Sequence, residues 1–211
     1  MRARAAVLIS GNGSNLQALL DSPGLYDLRI VIASKAGAYG LKRARRMGIP
    51  ILVVPSEKKK EAMDQWISSK LFEYKIEVVC LAGFMRVLSV GFVKQWQGKL
   101  VNIHPSMLPS YKGLNAFESA IQNGDDYAGV TVHHVVEAVD SGEFIVQRRF
   151  LIPGERRGGW GFEQTDGSSG SVTGSPKADS LQYLALHITE QKLFTEGMRR
   201  HLCQQIIQRW S

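Results

Sequence analysis

Seven short apolar runs punctuate the chain: AAVLI, LRIVIAS, ILVV, VVCLAGF, LVNIH, GVTVHHVV and FIVQRRFLI. Their length and β-branched content predict strands. Helical spacing separates the early runs, over Asn15–Leu20, Gly40–Met47 and Glu61–Phe72. In the last of these, Ala62, Met63, Trp66, Ile67 and Leu71 fall on one helical face. Strands alternating with helices through the first hundred residues predict an α/β chain. Its sheet should be twisted, mostly parallel and flanked by helices, wound through right-handed crossovers. After Gly129 the pattern changes. GVTVHHVV, the turn EAVDSG and EFIVQRRF read as an antiparallel addition in the C-terminal half. A final helix is expected from about Asp179 to Trp210. Between them, Gly154–Pro176 holds seven glycines and little periodicity, and reads as a loop insertion, 154–176. Its Trp160 and Phe162 either pack back on the protein body or cover a site as a lid.

At 211 residues the chain suits one α/β domain with a full core. Hydrophobic residues at 44% and charged residues at 21% exclude a disordered protein. The two cysteines, Cys80 and Cys203, form no CxxC pair, so neither a structural zinc nor a disulfide framework is expected. A reducing, cytoplasmic setting fits. The N-terminal MRARAAVLIS is too short in its apolar part for a signal peptide and leads into a glycine loop. No apolar stretch nears the roughly 20 residues of a membrane helix. The net charge of +7 comes from scattered clusters at Lys42–Arg46, Lys58–Lys60, Arg148–Arg149, Arg156–Arg157 and Arg199–Arg200. A solvated basic surface, nucleic-acid binding and attraction of small polyanions all fit that charge, but no aromatic residues interleave the clusters.

The stretch LISGNGSNLQALL reads as strand, glycine loop and helix. Gly11 and Gly13 allow a tight turn, and Ser14 and Asn15 can cap a helix starting at Leu16. Exposed amides at such a point bind phosphate, though an ordinary tight turn has the same signature. It is not a dinucleotide fingerprint, because Leu16 stands where the third glycine belongs and no acid closes the next strand. Nor is it a Walker loop. In VNIHPS, Asn102 and His104 point the same way from an extended strand that Pro105 stops. Strand ends of this kind hold ligands in open α/β sheets. Asp140, in the turn between two apolar strands, is either a turn former or the acid that orients His104. The three together would suit acyl transfer through a tetrahedral oxyanion. No serine sits in a GxSxG elbow, so the nucleophile would be the substrate's own amine. His133 and His134 face opposite sides of a strand and receive no role, nor do His187 and His201.

VLISGNGSNLQALL, VCLAGFMRVLS, NIHPSMLPSYKG and VDSGEFIVQ occur in an order and spacing that resemble the phosphoribosylglycinamide formyltransferases of purine biosynthesis. The resemblance covers nearly the whole chain. NIHPSxLP is shared with other enzymes that use 10-formyltetrahydrofolate, and GNGSNL narrows the likeness to the glycinamide ribonucleotide branch. It implies a Rossmann-like formyltransferase domain over 1–211, with a phosphoribosyl-substrate half, 1–100, and a folate half, 101–211. By that resemblance Asn102, His104 and Asp140 are catalytic. Gly13, Ser14 and Asn15 hold the substrate phosphate, and Glu190 the ribose hydroxyls. Lys60, Met85, Arg86, Val87, Leu88 and Asn102 bind the folate. The implied co-substrate is 10-formyltetrahydrofolate, without a metal. The implied partner is phosphoribosylglycinamide, with no nucleic acid or membrane, and a homodimer is allowed. Lys60 replaces a familiar Arg, Gln191 a His and Thr195 a proline, and Phe117 stands where a His or another aromatic is common. Another 10-formyltetrahydrofolate-using transferase or hydrolase with the same core remains the alternative.

Overall fold

The computed structural model describes residues 2–22, 26–55, 59–152, 198, 200 and 201. The insertion 154–176, with Trp160 and Phe162, lies outside the described residues, as do Glu190, Gln191 and Thr195. Of the expected terminal helix only 198, 200 and 201 are described, and they are helical.

All seven apolar runs form strands: β1 (Ala3–Ile9), β2 (Tyr26–Ala33), β3 (Ile51–Val53), β4 (Val78–Leu81), β5 (Leu100–His104), β6 (Tyr127–His134) and β7 (Phe144–Leu151). They form one sheet in the order β3-β2-β1-β4-β5-β6-β7. Pairing is parallel from β3 to β5 and antiparallel at β5–β6 and β6–β7. The mostly parallel Rossmann-like sheet with an antiparallel C-terminal addition is therefore present.

Alternation along the strands divides the core between the two faces. Ala5, Val7 and Ile9 of β1 lie in one apolar cluster, with Leu16 and Leu19 of helix α1 (Ser14–Leu20) and Leu41 and Ala44 of α2 (Gly40–Arg46). Ala6 and Leu8 lie in the other, with Met63, Ile67 and Leu71 of α3 (Lys60–Glu73). Because helices cover both faces, the inner strands are continuous apolar runs. Two helices had no expectation from the sequence: α4 (Val90–Gln95) and α5 (Ala116–Gln122). Each is about two turns, too short for a periodicity to register. Ser89 caps α4 by accepting from the Phe92 amide at 3.2 Å. Phe117 is core, 2% exposed, with its ring 6.1 Å from that of Phe150.

The buried face of α3 carries two polar residues, and both do structural work across helices. Asp64 accepts from the Ser89 amide at 2.6 Å, and Ser68 accepts from the Trp96 indole at 3.0 Å. Asp64 thereby holds the segment that follows β4, on which Met85–Leu88 lie.

Candidate active site

The parallel strand order reverses direction between β1 and β4, and in such sheets the crevice beyond the strand ends accepts ligands. A cavity of about 570 Å³ opens there. Its walls come from the ends of four strands and the segments after them: Ser10–Asn15 after β1, Ser34 and Lys35 after β2, Ala82–Arg86 after β4 except Phe84, and Ile103 and Pro105 at β5.

The glycine loop enters this cavity in a different way from the capping arrangement expected. Helix α1 begins at Ser14, and its N-cap is Gly13, at φ 74°, with no side-chain cap bond. Ser14 and Asn15 belong to the first turn and do not cap it. Glycine takes the left-handed cap position at no steric cost, so the chain turns into the helix two residues earlier. Gly11 has no positive φ; only Gly13 supplies the special backbone here. A carbon added at Gly13 would stand 2.7 Å from the Gly40 Cα, so α2 packs directly on the loop. The Gly40 amide donates to the Gly11 carbonyl at 3.1 Å, and Arg43 Nε to the Asn12 carbonyl at 2.9 Å. Asn15 is 9% exposed, lines the cavity, and has a buried Oδ1 with no hydrogen-bond partner among the described residues.

At the end of β5 the expected trio comes together. His104 Nδ1 lies 3.3 Å from Asp140 Oδ2, and Asn102 Nδ2 lies 3.5 Å from Asp140 Oδ1. His104 is 5% exposed. Its other nitrogen, Nε2, lies 2.8 Å from the Tyr111 carbonyl. Both ring nitrogens thus face oxygen acceptors, and both are satisfied at once only by a ring carrying two N–H groups. Asp140 sits at φ 47° and also accepts from the Gly113 amide at 2.9 Å. Burial alone would raise its carboxyl. Hydrogen bonds from His133 and the Gly113 amide, with the charges of His104 and His133, outweigh that and hold it below the ordinary aspartate range.

His133, given no role above, is the fourth member. It pairs with Asn102 across the β5–β6 ladder, and its Nε2 lies 3.2 Å from Asn102 Nδ2 and 3.5 Å from Asp140 Oδ1. Its Nδ1 lies 2.8 Å from the His134 carbonyl and so must carry a proton. In the neutral ring Nε2 therefore accepts from Asn102, the closer contact; only the doubly protonated ring can donate to Asp140. As expected of neighbours on a strand, His134 faces the opposite way, its ring 5.0 Å from that of His201. The sequence could not have singled out His133 without the β5–β6 register.

The loop carrying Asp140 returns onto β6 because Gly142 is a glycine. A carbon there would collide with the His134 carbonyl. The loop after His104 is fixed from beneath by Thr131, which is fully buried. Thr131 Oγ1 accepts from the Leu108 amide at 3.1 Å and donates to the Ser106 carbonyl at 2.7 Å.

The formyl transferase family model matches residues 3–156. The chain belongs to that family. Phosphoribosylglycinamide formyltransferase of Escherichia coli (strain K12) is 44% identical to this formyltransferase over 152 residues, 69% of this chain and 72% of that protein. The human trifunctional purine biosynthetic protein adenosine-3 is 51% identical over 152 residues, again 69% of this chain but 15% of that protein. The chain therefore spans about a seventh of that larger relative. Among solved structures, glycinamide ribonucleotide transformylase 1 from Symbiobacterium toebii superposes with a TM-score of 0.80 at 31% identity, covering 94% of this chain and 86% of that one.

The remaining expected residues of this formyltransferase divide by position. Met85 and Arg86 line the cavity, whereas Val87 and Leu88 continue past it. Arg86 turns its guanidinium inward, 3.2 Å from Met63 Sδ and 3.4 Å from the Ser34 carbonyl. The Met85 amide donates to Ser10 Oγ at 2.8 Å, which ties this segment to the end of β1. Lys60 is exposed at the start of α3, one turn before Asp64, and does not line the cavity. Glu190 lies beyond both the described residues and the family match. Among the described residues no group of three or more metal-ligating side chains could hold an ion, and no helix is long and apolar enough to cross a membrane.

Proposed function

We propose that the chain transfers the formyl group of 10-formyltetrahydrofolate to the amine of phosphoribosylglycinamide, a step of purine biosynthesis. The observation that carries this reading is the Asn102–His104–Asp140 cluster, which stands at a strand end beside a cavity walled by an anion-type loop. The bacterial relatives, a phosphoribosylglycinamide formyltransferase and a glycinamide ribonucleotide transformylase, support it. In this reading Gly13, Ser14 and Asn15 receive the ribonucleotide phosphate. The Met85–Leu88 segment and Lys60 receive the folate, with Asn102 beside its formyl group, and Glu190 receives the ribose hydroxyls.

The substrate amine attacks the formyl carbon and a C–N bond forms. The carbonyl oxygen becomes an oxyanion. His104 and the Asn102 amide stabilise it by transferring N–H bonds from their present acceptors. Asn102 is suited to this because its contact to Asp140 is long, at 3.5 Å. Collapse breaks the bond to folate N10, and the proton lost by the amine passes to that nitrogen. Asp140 keeps the His104 ring oriented and its charge balanced, the role a buried carboxylate plays beside a catalytic imidazole. No metal or covalent enzyme intermediate is required. The test is the change in folate absorbance with glycinamide ribonucleotide as acceptor. Deformylation should depend on the acceptor and fall at least a hundredfold in His104→Ala; deformylation indifferent to the acceptor would refute transfer.

A further inference from the structure

Among the described residues that line the cavity, only Lys35 and Arg86 carry full charges, and both are positive. Arg86 is spent on Met63 and the Ser34 carbonyl. Arg43, behind the glycine loop, is spent on Asn12 through two contacts and stacks 5.0 Å over the Tyr39 ring. Lys35 alone is uncommitted: it is exposed, and its ammonium has no hydrogen-bond or ion-pair partner among the described residues. Its backbone is fixed beside the loop. Ser34 donates its amide to the Ile9 carbonyl at 2.9 Å and its hydroxyl to Ser10 Oγ at 2.6 Å, and Lys35 follows it into the wall of the cavity that Gly11 also lines.

We infer that Lys35 is the cation of the ribonucleotide-phosphate subsite. The loop amides supply directional hydrogen bonds but only partial charge, and a phosphate dianion brought into a cavity needs a full positive charge to offset its lost hydration. The ammonium, a mobile point charge with three donors, supplies it. The inference rests on the acceptor proposed above, and its test separates the two. Ribose 5-phosphate binding is measured by calorimetry, without any formyl transfer, for wild type, Lys35→Ala and Lys35→Arg. Formyl transfer is then measured with glycinamide ribonucleotide and with the ribonucleoside that lacks the phosphate. Lys35→Ala should weaken ribose 5-phosphate binding by about ten- to a hundredfold, the effect of one charge-assisted hydrogen bond. Lys35→Arg should restore most of it. In the transfer assay the alanine variant should lose kcat/KM for the ribonucleotide by a similar factor and keep wild-type kcat/KM for the ribonucleoside. Unchanged ribose 5-phosphate affinity in Lys35→Ala, no binding to wild type, or an equal loss with both acceptors overturns the inference. Lysine-dependent binding without formyl transfer by wild type would uphold it and refute the proposed reaction.

Discussion

Gly13→Ala perturbs the loop at the point where backbone conformation and close approach coincide. An alanine at φ 74° costs on the order of 1–2 kcal/mol from its conformation alone. Its methyl carbon would stand 2.7 Å from the Gly40 Cα, a backbone atom that cannot rotate away. Nor can Gly40 retreat freely, since its amide is bonded to Gly11 and its own Cα side faces Ile9. The loop must shift instead. Together the strain and the clash should cost roughly 2–4 kcal/mol, within the range for special-backbone substitutions. For a chain of this size that lowers Tm by about 4–16 °C. The shift also misaligns the amides that face the cavity. Loss of one charge-assisted hydrogen bond corresponds to roughly ten- to a hundredfold in affinity. KM for the ribonucleotide should rise by that factor, and KM for the folate should change little. Steady-state kinetics with each substrate varied, beside a thermal melt, checks both parts. A lower Tm with unchanged ribonucleotide KM, or an equal rise in both KM values, would show that the loop only supports the fold.

Asp140→Asn should lower kcat by about a hundred- to ten-thousandfold, because the amide cannot balance a charged His104; a loss confined to KM would contradict this. Thr131→Val leaves the buried Leu108 amide and Ser106 carbonyl without Oγ1, so urea unfolding should report a loss of roughly 2–4 kcal/mol. His201, 1% exposed, is pushed down to about 4 by burial and then by His134. The unfolded chain takes up that proton from about pH 6.5 downward and the folded one does not, so stability falls as pH drops from 6.5 toward 4. At 1.36 kcal/mol per pH unit the loss is on the order of 3 kcal/mol. His201→Leu should flatten the pH dependence of unfolding across that window, and an unchanged slope would refute the assignment.

The five parallel strands were legible because buried parallel strands write themselves as continuous apolar runs, and β6 and β7 because they are runs rich in β-branched and aromatic residues on either side of a turn. The Asn102 and His104 pair was legible because both share one strand, whose alternation is a local rule, whereas Asp140 in its turn could equally have been a turn former. His133 was not, since its place opposite Asn102 depends on a register between two strands, which no local pattern encodes. Their shortness hid α4 and α5, two-turn helices held by Ser89 and by packing of Phe117. The helix cap was misread for a steric reason: Ser14 and Asn15 are good caps, but Gly13 can take the left-handed position that starts the helix first. Lys35 gave no sequence signal because a lysine after a strand looks like any solvated charge. It stands out only when its neighbours' charges are seen to be spent.

The fate of the formyl carbon tests the central claim most directly. Wild-type protein is given 10-formyltetrahydrofolate labelled with 13C in the formyl group, with phosphoribosylglycinamide, and the products are read by NMR. Direct amine attack predicts that the label appears in the formylated ribonucleotide as tetrahydrofolate forms, in equal amounts, and that Asp140→Asn and His104→Ala both suppress it. Label accumulating as free formate, or transfer that survives loss of His104, would contradict the account.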